Sequence, residues 1–363
     1  MKTVHKVVFG DSREMTQIPS GSVDLVVTSP PYPMIKMWDA VFSKQNPAIA
    51  GALGDGEGDR AFELMHCELD KVWREVYRVL KDGGLACINV GDATRAVGGA
   101  FKLYANHARV LQCCLQLGFS CLPEILWRKQ TNAPNKFMGS GVLPAGAYVT
   151  LEHEYILVLR KGSRRQFRSE AEKLRRLRSA FFWEERNLWF SDVWEDLKGT
   201  RQTHVDKNMR ERSGAYPFEL AYRLINMFSV KEDVVLDPFL GTGTTTVASM
   251  AAARNSVGVE FDSAFKEHIH SRSKNVVALA NQLIERRLLR HVSFVQKRAN
   301  AKGALGYVNR FYGFPVVTSQ ETELVFDELK SVNAVGDCAF EVEYKEKPTW
   351  LFKDNLLPNK EKA

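Results

Sequence analysis

The sequence predicts an α/β protein built on a mostly parallel, doubly wound sheet. Short apolar runs rich in Val, Ile and Leu alternate with longer segments whose apolar residues recur at helical spacing. Glycine- and proline-rich turns separate them. Two of these turns, Thr28-Ser29-Pro30-Pro31-Tyr32 and Asp237-Pro238-Phe239-Leu240-Gly241, directly follow apolar runs of strand type. That is the carboxyl end of a strand, where open α/β sheets keep their sites. With 363 residues, 45% hydrophobic and 26% charged, the chain can bury a large core in one enlarged domain or two.

Taken in order, Val4 to Phe9 reads as a strand ending at Gly10-Asp11, followed by a short helix from Ser12 to Ile18. The second strand, Val23 to Val27, stops at two consecutive prolines. Neither can donate to a sheet ladder, and each restricts the residue before it. The chain therefore leaves the sheet at a stiff angle that groups the Ser29 hydroxyl, the carbonyls of Pro30 and Pro31 and the ring of Tyr32. Pro33 to Arg60, with Gly51, Gly54, Gly56 and Gly58, reads as a mobile loop. Phe62 to Leu80 is a helix stopped by Lys81-Asp82-Gly83-Gly84, and Leu85 to Val90 a strand ending at Gly91-Asp92. Leu103 to Leu117 is helical, and strands near Leu122–Trp127 and Tyr155–Leu159 flank a further loop.

The composition then changes. Nine Lys or Arg residues lie between Arg160 and Arg178, followed by Phe181, Phe182, Trp183, Trp189, Phe190 and Trp194. The α/β pattern resumes with a helix over Tyr216–Phe228, a strand over Asp233–Leu236, a helix over Thr244–Ala253 and a strand over Ser256–Val259. A long helix runs to about Arg290, with short strands at Pro315–Thr318 and Ala339–Tyr344.

Composition excludes several classes. No apolar run reaches membrane-spanning length, and the amino terminus meets charge too soon for a signal peptide. The six cysteines form no C-x-x-C pair, so reduced thiols in a cytoplasmic protein are expected, with neither a disulfide frame nor a metal site. The net charge of +7 is compatible with a polyanionic partner.

Val234 to Thr245 is a buried strand entering a glycine-rich turn and a helix, with Glu260 at the end of the next strand. Glycines let a ligand approach the backbone, and the helix start offers free N–H groups. A phosphate loop would need a Lys before its Ser or Thr, and Leu240-Gly241-Thr242-Gly243-Thr244 has none. A dinucleotide fingerprint would need a third glycine where Thr246 stands. An adenosine ligand without phosphate fits Asp237, whose charge would repel a pyrophosphate and attract an amine or sulfonium. Glu260 would then hold ribose hydroxyls.

Together the motifs resemble those of the β-class DNA amino-methyltransferases, in which a Ser/Asp-Pro-Pro-Tyr motif precedes Asp-Pro-Phe-x-Gly-x-Gly-Thr. Here Ser29-Pro30-Pro31-Tyr32 comes first and Asp237-Pro238-Phe239-Leu240-Gly241-Thr242-Gly243-Thr244 later. The resemblance covers roughly residues 4 to 290. It implies a Rossmann-like, seven-stranded sheet, with the catalytic half at 1–160 and a target-recognition insert at 161–210. The cofactor-binding half would be 211–290, and 291–363 a carboxyl-terminal extension of unassigned role. It implies S-adenosyl-L-methionine as cofactor, held by Asp11, Tyr216, Pro217, Asp237, Pro238, Phe239, Gly241, Gly243, Thr244, Glu260, Phe261 and Asp262. Ser213-Gly214-Ala215 would open the segment against the methionine end.

The implied catalytic group is Ser29, Pro30, Pro31 and Tyr32, acting on a base swung out of double-stranded DNA. Ser at the first motif position favours the N4 amine of cytosine over the N6 amine of adenine. No cysteine lies in this turn to support attack on the cytosine ring. Arg164, Arg165, Arg168, Arg175 and Arg176 are expected to contact DNA, with Trp38 closing over the substrate. The resemblance further implies a nucleoid-associated monomer or homodimer, with a cognate restriction endonuclease as a candidate partner.

Overall fold

The computed structural model describes residues 1–129, 138–198 and 216–350. Its centre is five parallel strands: β1 (Lys2–Phe9), β2 (Val23–Thr28), β3 (Leu80–Val90), β12 (Val234–Asp237) and β13 (Asn255–Glu260). They lie side by side in the order β3-β2-β12-β13-β1. All six residues of β2 are buried, as expected of a parallel strand covered on both faces. Beside β3 runs β10 (His153–Lys161), antiparallel, and beside β10 lies β7 (Ile125–Arg128).

Those seven strands are the expected sheet. Among the described residues the sheet has eleven, because both edges are extended. At one end β6 (Phe119–Cys121) pairs with β10, and β11 (Val193–Trp194) pairs with β7. At the other, β17 (Ala339–Tyr344) lies antiparallel on β1 and carries β16 (Leu329–Ala334). Two- and three-residue strands carry no periodic signal. The sequence of β16, Leu-Lys-Ser-Val-Asn-Ala, is half polar and largely exposed.

Helices cover the two faces. On one lie α1 (Asp39–Gln45), α2 (Ala48–Gly54), α3 (Gly58–Val79) and α4 (Asn106–Gln116). In α3 the residues Ala61, Met65, Leu69, Val72, Val76 and Val79 recur every three or four positions and are buried. They meet Val23, Val26, Ala86 and Ile88 of the sheet. The other face is covered by α7 (Phe218–Phe228), α8 (Thr244–Ala251) and α10 (Val276–Lys302), which meet Leu25, Val27 and Cys87. The alternation along β2 and β3 thus divides one sheet between two cores.

Three sequence expectations are corrected. Ser12 to Ile18 is a set of turns, not a helix. Its backbone finds partners outside the segment: Met15 N–H donates to Glu75 Oε2 at 2.8 Å, and the Met15 and Ile18 carbonyls accept from Arg78 at 2.9 and 3.0 Å. Pro33 to Arg60 is no mobile loop, because α1, α2 and the start of α3 occupy it, anchored by buried Phe42, Ile49 and Ala52. Of its glycines, Gly56 and Gly58 allow close approach of Gly98 and Tyr104, whereas Gly51 and Gly54 face open space. The long helix ends at Lys302 after a break at Asn275, where α9 (Lys266–Lys274) stops.

The segments on either side of the cofactor half are tied into the same body. The basic run ends in α5 (Glu170–Arg178), which buries none of its own residues. Phe182, just before α6 (Trp183–Trp189), stacks on His291 of α10 at 3.8 Å. Around them Tyr312, Phe314, Leu324 and Phe326 complete a third cluster, beside a small pair of strands, β14 (Tyr307–Val308) and β15 (Pro315–Val316). Phe340 and Val342 of β17 are fully buried in the main core. Phe340→Ala is therefore expected to lower unfolding stability by about 3–5 kcal/mol. Urea denaturation should still show one transition, and an unchanged midpoint would mean that β17 folds apart from the sheet.

Candidate active site

Strand order reverses between β2 and β12. From β2 the chain crosses to β3 on one side, and from β12 to β13 on the other. The crevice above such a reversal is where open sheets hold ligands. Both motifs end here.

The Asp237 carboxylate sits under the crevice, 2% exposed. Its Oδ1 accepts from Thr28 Oγ1 at 2.6 Å and from Phe239 N–H at 3.0 Å. Its Oδ2 accepts from Tyr216 OH at 3.1 Å and from Thr245 Oγ1 at 2.5 Å. A carboxylate offers about four acceptor positions, and all are filled. Burial pushes its pKa up, against the pull of those donors. Asp237 therefore acts as the pin under the loop, with its hydrogen bonds made to the scaffold. Tyr216, also expected at the cofactor, has its hydroxyl committed to the same pin, and Pro217 caps the start of α7. Ser213, Gly214 and Ala215 lie outside the described residues.

Above the pin, Pro238, Phe239 and Gly241 turn into α8. Gly243 takes φ 79°, a left-handed value that a side chain would strain, as it caps the helix. Arg272 of α9 braces the turn by donating to Thr242 Oγ1 at 2.8 Å and to Thr244 Oγ1 at 3.1 Å. No sequence signal pointed to this role, since the arginine lies in an ordinary charged helix. Glu260 closes the loop: its Oε2 accepts from Gly241 N–H at 2.6 Å and its Oε1 from Asp262 N–H at 2.8 Å. Each oxygen keeps one acceptor position, so vicinal hydroxyls fit here. Beside it, Phe261 presents a 56% exposed ring suited to stacking on a flat heterocycle, while Asp262 caps the turn at Ala264. Asp11, across the crevice, is gripped by Arg13, whose Nη2 lies 2.6 Å from Oδ2. Burial raises its pKa, but the Arg13 hydrogen bonds outweigh that and hold it below the usual range.

At the end of β2, Ser29 Oγ lies 2.9 Å from Tyr32 OH. Tyr32 OH donates to Glu154 Oε2 at 3.0 Å and accepts from Asn89 Nδ2 at 3.0 Å. Asn89 also donates to Glu154 at 2.6 Å, and Lys129 pairs with the other carboxylate oxygen. Pro30 is buried, while Ser29 and Pro31 are half-buried. Gly91 is required beside them, since a Cβ there would stand 2.9 Å from the Tyr32 ring. Asn89, Lys129 and Glu154 were not visible as site residues. They lie 60 to 125 positions from Ser29, and only the pairing of β3 with β10 brings Asn89 and Glu154 together.

The expected DNA contacts are placed elsewhere. Arg165 pairs with Asp233 at 2.7 Å and lies 3.6 Å from Asp24, at the amino ends of β12 and β2. Ser29 is at the other end of β2, five residues on from Asp24 and so roughly 17 Å away at strand rise. Arg175 pairs with Glu232 at 3.0 Å, and Arg165 and Arg176 flank the Phe167 ring. Arg164 and Arg168 are exposed on the same segment. These five arginines are thus remote from the catalytic turn. Trp38 follows that turn in a short 3-10 helix, and its partly buried ring packs on the core of the α1–α4 face.

Known proteins of one family resemble this chain over most of its length. Residues 23–271 match the family model described as DNA methylase. The chain is 50% identical to Type II methyltransferase M.MthZI of Methanothermobacter thermautotrophicus, over 95% of this chain and 96% of that protein. It is 47% identical to M.MjaI of Methanocaldococcus jannaschii, over 74% and 91%. Among solved structures, TTHA0409 of Thermus thermophilus in complex with S-adenosyl-L-methionine is 33% identical, with a TM-score of 0.57 over 74% of this chain and 92% of that one. The cytosine-N4-specific PvuII enzyme shares the fold at 15% identity, with a TM-score of 0.50 over 77% and 92%.

Two variants test the placements above. Asp237→Asn leaves too few acceptor positions for four donors, so thermal denaturation should show a loss of about 3 kcal/mol. Arg165→Ala strands the buried Asp233 and should cost about 1–3 kcal/mol. It should leave DNA affinity and its salt dependence unchanged. A reduced salt slope would return this arginine to the DNA surface.

Proposed function

The chain belongs to the DNA methylase family, S-adenosyl-L-methionine-dependent enzymes that modify DNA, and from that membership we propose that it methylates the N4 amine of cytosine in a specific duplex sequence. The observation that carries this reading is the 2.6 Å bond from Thr28 to Asp237, which joins the catalytic turn to the cofactor loop.

An exocyclic base amine is a poor nucleophile because its lone pair is delocalised into the ring. Acceptors for both amine hydrogens let the nitrogen pyramidalise. Ser29 Oγ and the Pro30 carbonyl are such acceptors, and the two prolines keep them fixed. The Tyr32 ring offers a face to the base, which must leave the stack to reach them. Glu260 is proposed to hold the ribose hydroxyls, Phe261 to stack on the adenine and Asp11 to receive its amino group. S-adenosyl-L-methionine supplies the electrophilic methyl carbon. The protein contributes mainly positioning, worth up to about 7–11 kcal/mol for well-oriented groups.

The choice of cytosine rests on Ser29, since serine at this position resembles the N4-cytosine members. The duplex is proposed to lie over the carboxyl ends of the strands, where two hairpins stand. These are β4–β5 (Ala93–Val97 and Ala100–Tyr104) and β8–β9 (Met138–Gly139 and Ala147–Tyr148). Phe101 and Tyr148 join them with ring centroids 4.8 Å apart, and Val142 and Leu143 project into solvent beyond. Target recognition is assigned to these hairpins in place of the basic insert. The Type II designation of the relatives supports a partner endonuclease reading the same sequence.

Mass spectrometry of nucleosides from unmethylated DNA incubated with the enzyme and labelled cofactor should show N4-methylcytosine. N6-methyladenine in its place would overturn the choice of base. Ser29→Ala should slow single-turnover methylation about 100-fold with cofactor affinity unchanged by calorimetry. Glu260→Ala should weaken cofactor binding about tenfold or more.

A further inference from the structure

The hydrogen bonds beneath the catalytic turn have a direction, and one carboxylate sets it. Glu154 is 8% exposed. Its Oε1 faces the Lys129 ammonium, and its Oε2 faces both Tyr32 OH at 3.0 Å and Asn89 Nδ2 at 2.6 Å. An ionised carboxylate only accepts, so the Tyr32 proton must point at Glu154. Burial, and then the Glu154 charge, push the Tyr32 pKa well up, so the phenol keeps that proton. The Asn89 amide is oriented by the same charge. Flipping it would set Oδ1 against the carboxylate, and in the observed orientation Oδ1 is buried without a protein partner.

With its proton committed and Asn89 donating to it at 3.0 Å, the Tyr32 oxygen has one acceptor position left, and it faces Ser29 Oγ at 2.9 Å. The Ser29 proton is therefore directed at Tyr32, and toward the pocket Ser29 Oγ can only accept, with Asn89 Nδ2 reaching its other lone pair at 3.5 Å. We propose that Glu154 is a positioning residue that, through Tyr32, makes Ser29 an obligatory hydrogen-bond acceptor, selecting an amine over a carbonyl at the target base. This rests on the amino-methyltransferase reading above and deepens it.

The same chain accounts for the proton released on methylation. The alkylated amine nitrogen gives a proton to Ser29 Oγ, Ser29 gives its own to the Tyr32 oxygen, and Tyr32 gives its own to Glu154 Oε2. Three O–H bonds form, while one N–H and two O–H bonds break. The proton ends on the carboxylate, and both hydroxyls are restored.

Glu154→Gln keeps the shape and reverses the polarity. The Gln carbonyl would accept from Lys129 and its NH2 would donate to Tyr32, turning the Tyr32 proton toward Ser29 and the Ser29 proton into the pocket. Single-turnover methylation of unmethylated DNA is expected to fall about 100-fold in Glu154→Gln and comparably in Tyr32→Phe. The double variant should be no more than about twofold slower than the slower single, because both cut one chain. In the cofactor-free protein, the Tyr32 13Cζ resonance, assigned by its loss in Tyr32→Phe, should titrate at lower pH in Glu154→Gln. Additive losses, an unmoved Tyr32 titration or a near-wild-type Glu154→Gln rate would overturn the proposal. If Glu154→Gln does not fold, a wild-type rate in Tyr32→Phe overturns it equally. A wild-type enzyme that transfers no methyl group to DNA would instead remove the underlying reading.

Discussion

The site depends on a buried carboxylate whose acceptor positions are all filled. Asp237 binds the last residue of β2, the cofactor loop, the start of α8 and the tyrosine leading into α7. Thr28 and Asp237 are 209 residues apart in sequence, and this contact makes their motifs one site. A buried carboxylate with an unfilled position would cost the protein free energy. Its complete set of donors fixes the loop in one conformation before any ligand arrives, so binding need not order it.

A second carboxylate, Glu154, has a different task. Asp237 is enclosed by donors that belong to the scaffold, whereas Glu154 faces groups that lead to the pocket through Tyr32. Both sit at the end of the sheet where side chains from several strands converge while the backbone stays rigid. Precision comes from the sheet and chemical polarity from the placement of charge.

The basic segment shows how charge can mislead when read along a chain. Arg165 and Arg175 neutralise Asp233 and Glu232, and their segment packs under the amino ends of the strands. The carboxyl-terminal strands likewise complete the core at the β1 edge, with Phe340 and Val342 fully buried. The basic segment thus lies at the end of β2 opposite the catalytic turn, and the carboxyl-terminal strands extend the sheet at its β1 edge.

Much was legible in the sequence because it is local. Pro30-Pro31 forces the exit from β2, Gly243 permits the turn into α8, and the spacing from Gly241 to Glu260 is one helix and one strand. These features determined the fold class, the five central strands and the identity of both motifs. Tertiary structure alone decided what lies between them. Glu154 and Asn89 meet through the antiparallel pairing of β10 with β3, and Arg272 reaches Thr242 from a helix without any motif. It also decided which end of the sheet the arginines occupy. Backbone propensity and turn chemistry act over a few residues, whereas the partner of a side chain depends on strand order, which local sequence does not encode.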